Sequence, residues 1–391
     1  MAEWITTTLE ECTDILGDGL HGTPKYTENG EYAFVNGNNL VDGEILIKKE
    51  TKRVDYSQYD KYKKPLTNRT ILVSINGTLG NVGVYGSEKI ILGKSACYFN
   101  VKKSVDKDFI YYIVSSPTFK QYLESNATGT TIKNISLKQM REYTFELPEI
   151  GEQKRISSVL RKIDEKIKNN RAINNNLEQQ AQAIFANEFL SLDTLPEGWK
   201  QASLIDIADY LNGLAMQKYR PTADETGIPV LKIKELRQGC CDDNSELCSP
   251  SIKSEYIIRD GDVIFSWSGS LLVDFWCGGI CGLNQHLFKV TSNKYNKWFY
   301  YAWTKHHLDR FIAVAVDKAT TMGHIKRDEL SKAEVLIPNE ADYKRIETLL
   351  QPIYDLIIAN RIENKKLAET RDMLLPKLMS GEIDISEVDY E

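Results

Sequence analysis

At 391 residues the chain is longer than one ordinary core and suits two domains. Hydrophobic residues make up 42% and charged residues 27%, the profile of a folded chain, and the net charge of −6 gives no bulk basicity of the kind that marks many nucleic-acid binders. No apolar run approaches the roughly 18–20 residues of a membrane span, which argues against a membrane partner.

In chain order, Met1 to Asp14 carries Glu3, Glu10 and Glu11 where a signal peptide is basic and then apolar, so a cytoplasmic protein is expected. Gly17-Asp18-Gly19-Leu20-His21-Gly22 spells the dinucleotide fingerprint G-x-G-x-x-G. Thr23-Pro24 and Asn29-Gly30 follow at once, so no helix N-terminus is on hand for a pyrophosphate, and a flexible loop is expected instead. From Lys48 to Arg69 eight basic residues (Lys48, Lys49, Lys52, Arg53, Lys61, Lys63, Lys64, Arg69) face three acids, with Tyr56, Tyr59 and Tyr62 interleaved. Such a run suits phosphate contacts and base stacking, although charge runs also form plain solvated faces.

Thr70–Ile75 and Ala96–Val101 read as strands, and Phe109–Tyr122 as a helix. The Gly loop between the strands offers Ser74, Asn76, Thr78 and Asn81, short polar side chains able to approach base edges, or else an ordinary hairpin turn. Gly93-Lys94-Ser95 resembles the end of a phosphate-binding loop, but its first glycine falls at Glu88 and a strand follows it, so the motif fails.

After Pro148, apolar and Asn positions recur at 4,3 spacing: Ile156, Leu160, Ile163, Ile167, Asn170, Asn174, Leu177, Ala181, Ile184. A 3.5-residue period sustained over four heptads predicts a coiled-coil helix from about Ile150 to Glu188.

The chain then repeats itself. Shifted by 190 residues, Gly129–Phe185 lies on Ala319–Leu375 without a gap and with fourteen identities in 57 positions. The second copy has strands at Asp262–Trp267 and His286–Val290, a helix at Lys297–Phe311, and the seam Ile346, Leu350, Ile353, Ile357, Asn360, Asn364, Leu367, Arg371, Leu374. Arg371 weakens its last heptad, and Pro352 predicts a kink. Its basic residues are Lys232, Lys234, Arg237, Lys253 and Arg259, with more acids between them, and its Gly loop carries Ser266, Ser268 and Ser270.

Four segments result: a mixed α/β domain over 1–148, a helix over 149–190, a second α/β domain over 196–338 and a helix over 339–380. The first helix is roughly 55–60 Å long at 1.5 Å per residue, whereas the linker Phe189–Trp199 spans at most about 35 Å. An antiparallel pair with one globule at each end is therefore expected, with Asn170 and Asn360 facing each other on its pseudo-twofold axis and fixing register.

Little assembles into an active site. Seven cysteines, five of them between Cys240 and Cys281, do not read as a disulfide framework and lack the paired C-x-x-C spacing of structural zinc. No two prolines are adjacent, so the Asn/Asp-Pro-Pro-Tyr/Phe loop of amino-methyltransferases is absent.

The layout resembles the specificity (S) subunit of Type I restriction–modification enzymes. The resemblance rests on Gly17–Pro24, on Gly129-Thr130-Thr131-Ile132, and on Pro148 to Ile156 with Glu152-Gln153. Leu283-Asn284-Gln285-His286-Leu287-Phe288 and the stretch Leu374-Leu375-Pro376-Lys377-Leu378-Met379-Ser380-Gly381-Glu382-Ile383 also carry it. The second copy departs at Asp342-Tyr343, which replaces Glu152-Gln153, and at Leu272, which replaces Gly80. The resemblance implies an α+β chain with two target recognition domains, each reading half of an asymmetric split sequence in double-stranded DNA, and Thr130, Thr131, Thr320 and Thr321 join the candidate contacts. It implies a non-catalytic subunit with no cofactor or metal of its own. Partner modification subunits would use S-adenosylmethionine to methylate adenine, and restriction subunits, as motor–nucleases, would use Mg and ATP to cleave. A non-DNA adaptor joining two protein-binding domains is the alternative reading, and an enzyme built on the glycine motif or the cysteine cluster comes last.

Overall fold

A computed structural model describes residues 4–129, 131–317, 325 and 327–387. The chain divides into two compact units, residues 1–165 with 369–391, and residues 166–368.

In the first unit, strands Thr13–Asp18, Ala96–Val101, Thr70–Ser74 and Val82–Val84 form an antiparallel sheet in that spatial order. A smaller sheet places Tyr32–Val35 between Arg53–Val54, antiparallel, and Ile90–Leu92, parallel. Ile5–Thr8 pairs with Thr144–Leu147. The five residues of Thr70–Ser74 are all buried, as their apolar, β-branched run requires of a central strand. The core gathers Phe99, Phe109, Phe119 and Leu123 with Ile156 and Leu160 of the first long helix and Leu375 and Leu378 of the second. Each such fully buried side chain contributes about 1.5–3 kcal/mol.

The second unit repeats this topology. Asp209–Asn212, Leu287–Thr291, Val263–Ser266 and Leu272–Phe275 form the antiparallel sheet, and Ile228–Leu231 pairs in parallel with Cys281–Leu283 in the second sheet. Lys200–Ser203 pairs with Glu334–Ile337. The duplication seen in the helical tails thus extends through the diverged globular parts.

The single helix expected at Phe109–Tyr122 is two, Lys107–Ser115 and Pro117–Asn126. Pro117 forces Ser116 into extended backbone (φ −69, ψ 150), and the Ser116 hydroxyl then caps the next helix by accepting from the Phe119 N–H. The second copy breaks likewise, into Lys297–His306 and Leu308–Asp317, at His307.

The long helices run over Ile150–Phe185, followed by a π-type turn at Ala186–Leu190, and over Glu340–Met379. The second runs as one helix through Pro352, the residue at which a kink is expected. All eighteen seam positions are buried or half-buried, so the 4,3 pattern marks the packed stripe of both helices. The register is antiparallel: within the second unit Asn170 meets Asn364, Asn174 meets Asn360, and Glu188 meets Arg345.

That register corrects the expected facing of Asn170 and Asn360. Asn170 donates through Nδ2 to Asn364 Oδ1 at 2.9 Å and to Glu363 Oε2 at 2.7 Å. Asn360 donates to Asn174 Oδ1 at 2.9 Å, and Asn174 in turn to the Ile357 carbonyl at 3.2 Å. The local symmetry point of the pair therefore lies near positions 172 and 362, and each asparagine meets the repeat-equivalent of its neighbour one turn away. Direct facing would set two identical amides on one axis; the crossed arrangement gives the Asn170, Asn174 and Asn360 amides each an acceptor. Arg371 does not leave its heptad unsupported either, because Asp164 accepts from its guanidinium at 2.8 Å within the first unit.

Candidate nucleic-acid interface

In the first unit the structure joins two motifs that sequence reasoning had set aside separately. The Leu20 N–H donates to the Leu92 carbonyl at 2.7 Å, and Leu20 bridges Gly93 in parallel. The glycine-rich stretch is thus tied at Gly19-Leu20 and is not the free loop expected. Glycine is needed there for close approach: a Cβ on Gly19 would stand 2.3 Å from the Gly93 carbonyl oxygen. The second unit repeats the crossing, with Leu214 N–H to Leu283 O at 2.9 Å and a Cβ on Gly213 placed 2.2 Å from Asn284 O.

Beside this crossing lies a cleft of about 420 Å³ whose walls include His21, Tyr26, Phe34, Asn36 and Lys94. The Lys52 ammonium stands 4.6 Å from the Tyr26 ring centre, and Asp18 pairs with His21. Lys48, Lys49, Lys52, Lys64 and Lys94 have no ion-pair partner among the described residues, and Lys48, Lys49, Lys52 and Lys94 are exposed. Unpaired ammonium groups beside aromatic rings can hold phosphates and stack on bases.

Other members of the basic run are committed inside the protein. Arg69 donates from Nε to Val101 O at 2.7 Å and from Nη2 to Lys102 O at 2.9 Å and Val105 O at 2.7 Å, so it ties off a strand end. Lys63 pairs with Asp60 at 2.6 Å, and Arg53 reaches the Gly30 and Glu31 carbonyls at 3.5 and 3.4 Å. Of the interleaved tyrosines, Tyr59 stacks on Tyr32 with centroids 4.0 Å apart, and Tyr56 is the exposed ring.

The two loop motifs meet in each unit. In the first, Ile135 N–H donates to Ile75 O at 2.9 Å, Gly77 N–H to Lys133 O at 2.9 Å, and Asn76 Nδ2 to Asn134 Oδ1 at 3.0 Å. In the second, Ile325 N–H donates to Trp267 O at 3.0 Å. Thr78 and Thr131 are exposed on this paired-loop surface and Asn81 is half-buried; Thr130, Thr320 and Thr321 lie outside the described residues.

The loop serines point inward more than the sequence suggested. Ser74 and Ser266 are wholly buried. Ser74 Oγ bonds the Thr78 carbonyl, and Ser266 Oγ bonds Ser270 O at 2.9 Å. Both hold the turn closed, because a buried hydroxyl at a strand end finds its acceptor in its own loop. Ser268 is also buried, 3.2 Å from His286 Nδ1, and Ser270 is exposed.

Two of the second unit's lysines are neutralised. Lys232 pairs with Glu246 at 2.5 Å and Lys234 with Asp242 at 3.1 Å. The acids noted between them in sequence fold back onto them, while Arg237 is exposed. In place of a cationic cleft this unit has a groove of about 650 Å³, with Asn212, Tyr256, Trp267, Phe288 and Arg327 among its walls. Sequence reasoning missed Tyr26 and Lys94 in the first unit and Asn212, Trp267 and Arg327 in the second. Trp267 and Lys94 had a sequence signal in their loop motifs; Asn212 and Arg327 had none.

The cysteines form no comparable site. All seven are free, and burial pushes the Cys248 and Cys277 thiols up to about 11. Among the described residues no group of three or more His, Cys, Asp or Glu is placed to hold a metal. Among them, too, no helix is long and apolar enough to cross a membrane.

Comparison with known proteins accounts for both halves of the chain. A Type I restriction enzyme specificity subunit, MjaIX from Methanocaldococcus jannaschii, is 24% identical over 94% of this chain and 87% of its own. The HindI specificity subunit of Haemophilus influenzae is 18% identical over 71% of this chain and 77% of its own. The crystal structure of a Type I restriction–modification S subunit from M. genitalium shares the fold, with a TM-score of 0.58, 17% identity and 96% of each chain covered. The profile of the Type I restriction modification DNA specificity domain matches twice, at residues 1–179 and 196–369, one match per repeat, and the chain belongs to that family of specificity subunits.

Proposed function

We propose that this subunit reads a split, asymmetric DNA sequence, one half-site per domain, and performs no chemistry itself. The observation that carries the reading is a duplicated fold with unlike surfaces: a cleft with unpaired lysines in one copy and an aromatic groove in the other. Similar scaffolds keep the mode of docking, while different side chains at equivalent places select different bases. The antiparallel helix pair, its register held by four asparagines, sets the spacer between half-sites.

Double-stranded DNA is thus the ligand. Modification subunits carrying S-adenosylmethionine methylate adenine after taking it out of the stack, and restriction subunits supply ATP- and Mg-dependent cleavage, all in the cytoplasm. Acidic balance is compatible with this when partners share the phosphate contacts. Within this chain we assign phosphate contacts to Lys48, Lys49, Lys52, Lys64 and Lys94, with Arg237 in the second domain, and loop contacts to Thr78, Asn81, Thr131 and Ser270.

The test is co-purification with a methyltransferase subunit encoded alongside, then sequencing of methylated adenines. A bipartite asymmetric motif is expected. Charge reversal of Lys52 and Lys94 together should weaken DNA binding and lower the salt slope by about 0.9 per lost phosphate contact. Binding unchanged at moderate salt, with no motif, would instead support an adaptor that joins proteins.

A further inference from the structure

The two domains differ in character at two equivalent positions. The repeat places Ile75 on Trp267 and Leu137 on Arg327, and the bonds Ile135–Ile75 and Ile325–Trp267 confirm that the backbones superpose in role. In the first domain both side chains belong to packing: Ile75 is buried and Leu137 lies against the core. In the second domain the same positions carry an indole, half-buried against the core, and an exposed guanidinium, and both line the groove.

Their surroundings hold both in place. Trp267 donates from Nε1 to Asn212 Oδ1 at 3.0 Å and lies 5.6 Å from the Phe288 ring centre. Arg327 is exposed, touches the Tyr210 carbonyl through Nη2 at 3.4 Å, and has no carboxylate paired to it among the described residues. A guanidinium beside aromatic faces keeps its charge and its fork of donors available. By contrast Lys232 and Lys234 are already neutralised by Glu246 and Asp242.

We infer that Arg327, which shares the groove with Trp267, reads a guanine in the second half-site, and that the second domain recognises DNA through this groove rather than through Lys232 and Lys234. The inference rests on the proposed reading of split DNA. Arginine matches guanine O6 and N7 with two parallel hydrogen bonds, and the indole supplies the apolar contact that suits a neighbouring base edge. A phosphate contact alone would not need the aromatic wall.

The experiment compares the methylation motifs, half-site binding and salt slopes of the complete methyltransferase complex carrying wild-type subunit, Arg327→Ala, Arg327→Lys and Trp267→Phe. Thermal melting checks that each variant folds. For Arg327→Ala we expect preference for guanine at one second-half-site position to fall by roughly tenfold or more, with the first half-site unchanged. Arg327→Lys should restore binding but not the discrimination, because a point charge lacks the planar fork. Weakening on all sequences alike with a shallower salt slope would overturn the inference in favour of a phosphate contact, and so would an unchanged motif. A wild-type complex without any split motif would overturn the DNA reading itself, which is a different result from an unaltered Arg327→Ala motif.

Discussion

Asn174 and Asn360 illustrate how a polar residue in an apolar seam acts. Both are buried, and the Asn360 amide depends on Asn174 Oδ1 for its acceptor. Asn174→Ala should cost about 1–3 kcal/mol, since it strands a buried donor. The double change Asn174→Leu with Asn360→Leu should be nearly neutral or stabilising in chemical denaturation, yet broaden the spacer lengths accepted, because apolar seams tolerate shifted register. His307 is a second case. It is buried, lies 2.7 Å through Nε2 from the Glu334 carbonyl, and burial holds its pKa below the ordinary histidine value. A depressed folded-state pKa means that the unfolded chain takes up the proton first as pH falls. Stability from this group is therefore present above about pH 6.5 and is lost below it. Melting curves between pH 7 and 5 should show a smaller pH-dependent loss for His307→Gln than for wild type.

At the scale of elements, the backbone crossing explains a glycine that looked like a cofactor motif. Gly213→Ala should destabilise the second domain by roughly 1–3 kcal/mol, as overpacking against a backbone oxygen that has no room to yield. Thermal melting checks this, and Gly22→Ala, whose Cβ would meet nothing within 4 Å, is the control that should change little. Much at this scale was legible in sequence. Period 3.5 marked the long helices, and buried β-branched runs marked Thr70–Ser74 and Val263–Ser266. The helix break at Ser116 was legible in principle from Pro117, whereas the break at His307 had no such residue to announce it.

For the whole molecule, the helix pair is the feature with the clearest functional consequence. The first long helix, Ile150–Phe185, has 36 residues, about 54 Å at 1.5 Å per residue. Removing one heptad from each helix shortens the pair by about 10 Å, close to three base pairs of duplex. The methylation motif of such a variant should keep both half-sites and change its spacer. Altered half-sites with an unchanged spacer would contradict the role assigned to the helices.

By itself the sequence determined the duplication, the two α/β domains with their helical tails, the seam and the family resemblance, because these rest on periodicity and order along the chain. It also supplied a basic run in which the lysines later found unpaired and those found engaged look alike. Only the tertiary structure decided which side chains are available. Arg69 is spent on three carbonyls 32 to 36 residues away, and Glu246 reaches back 14 residues to Lys232. Ser74 and Ser266 close their own turns, and a tryptophan and an arginine 60 positions apart in sequence stand in one groove. Pattern reports which face of an element is buried; partnership between groups distant in sequence is fixed by packing.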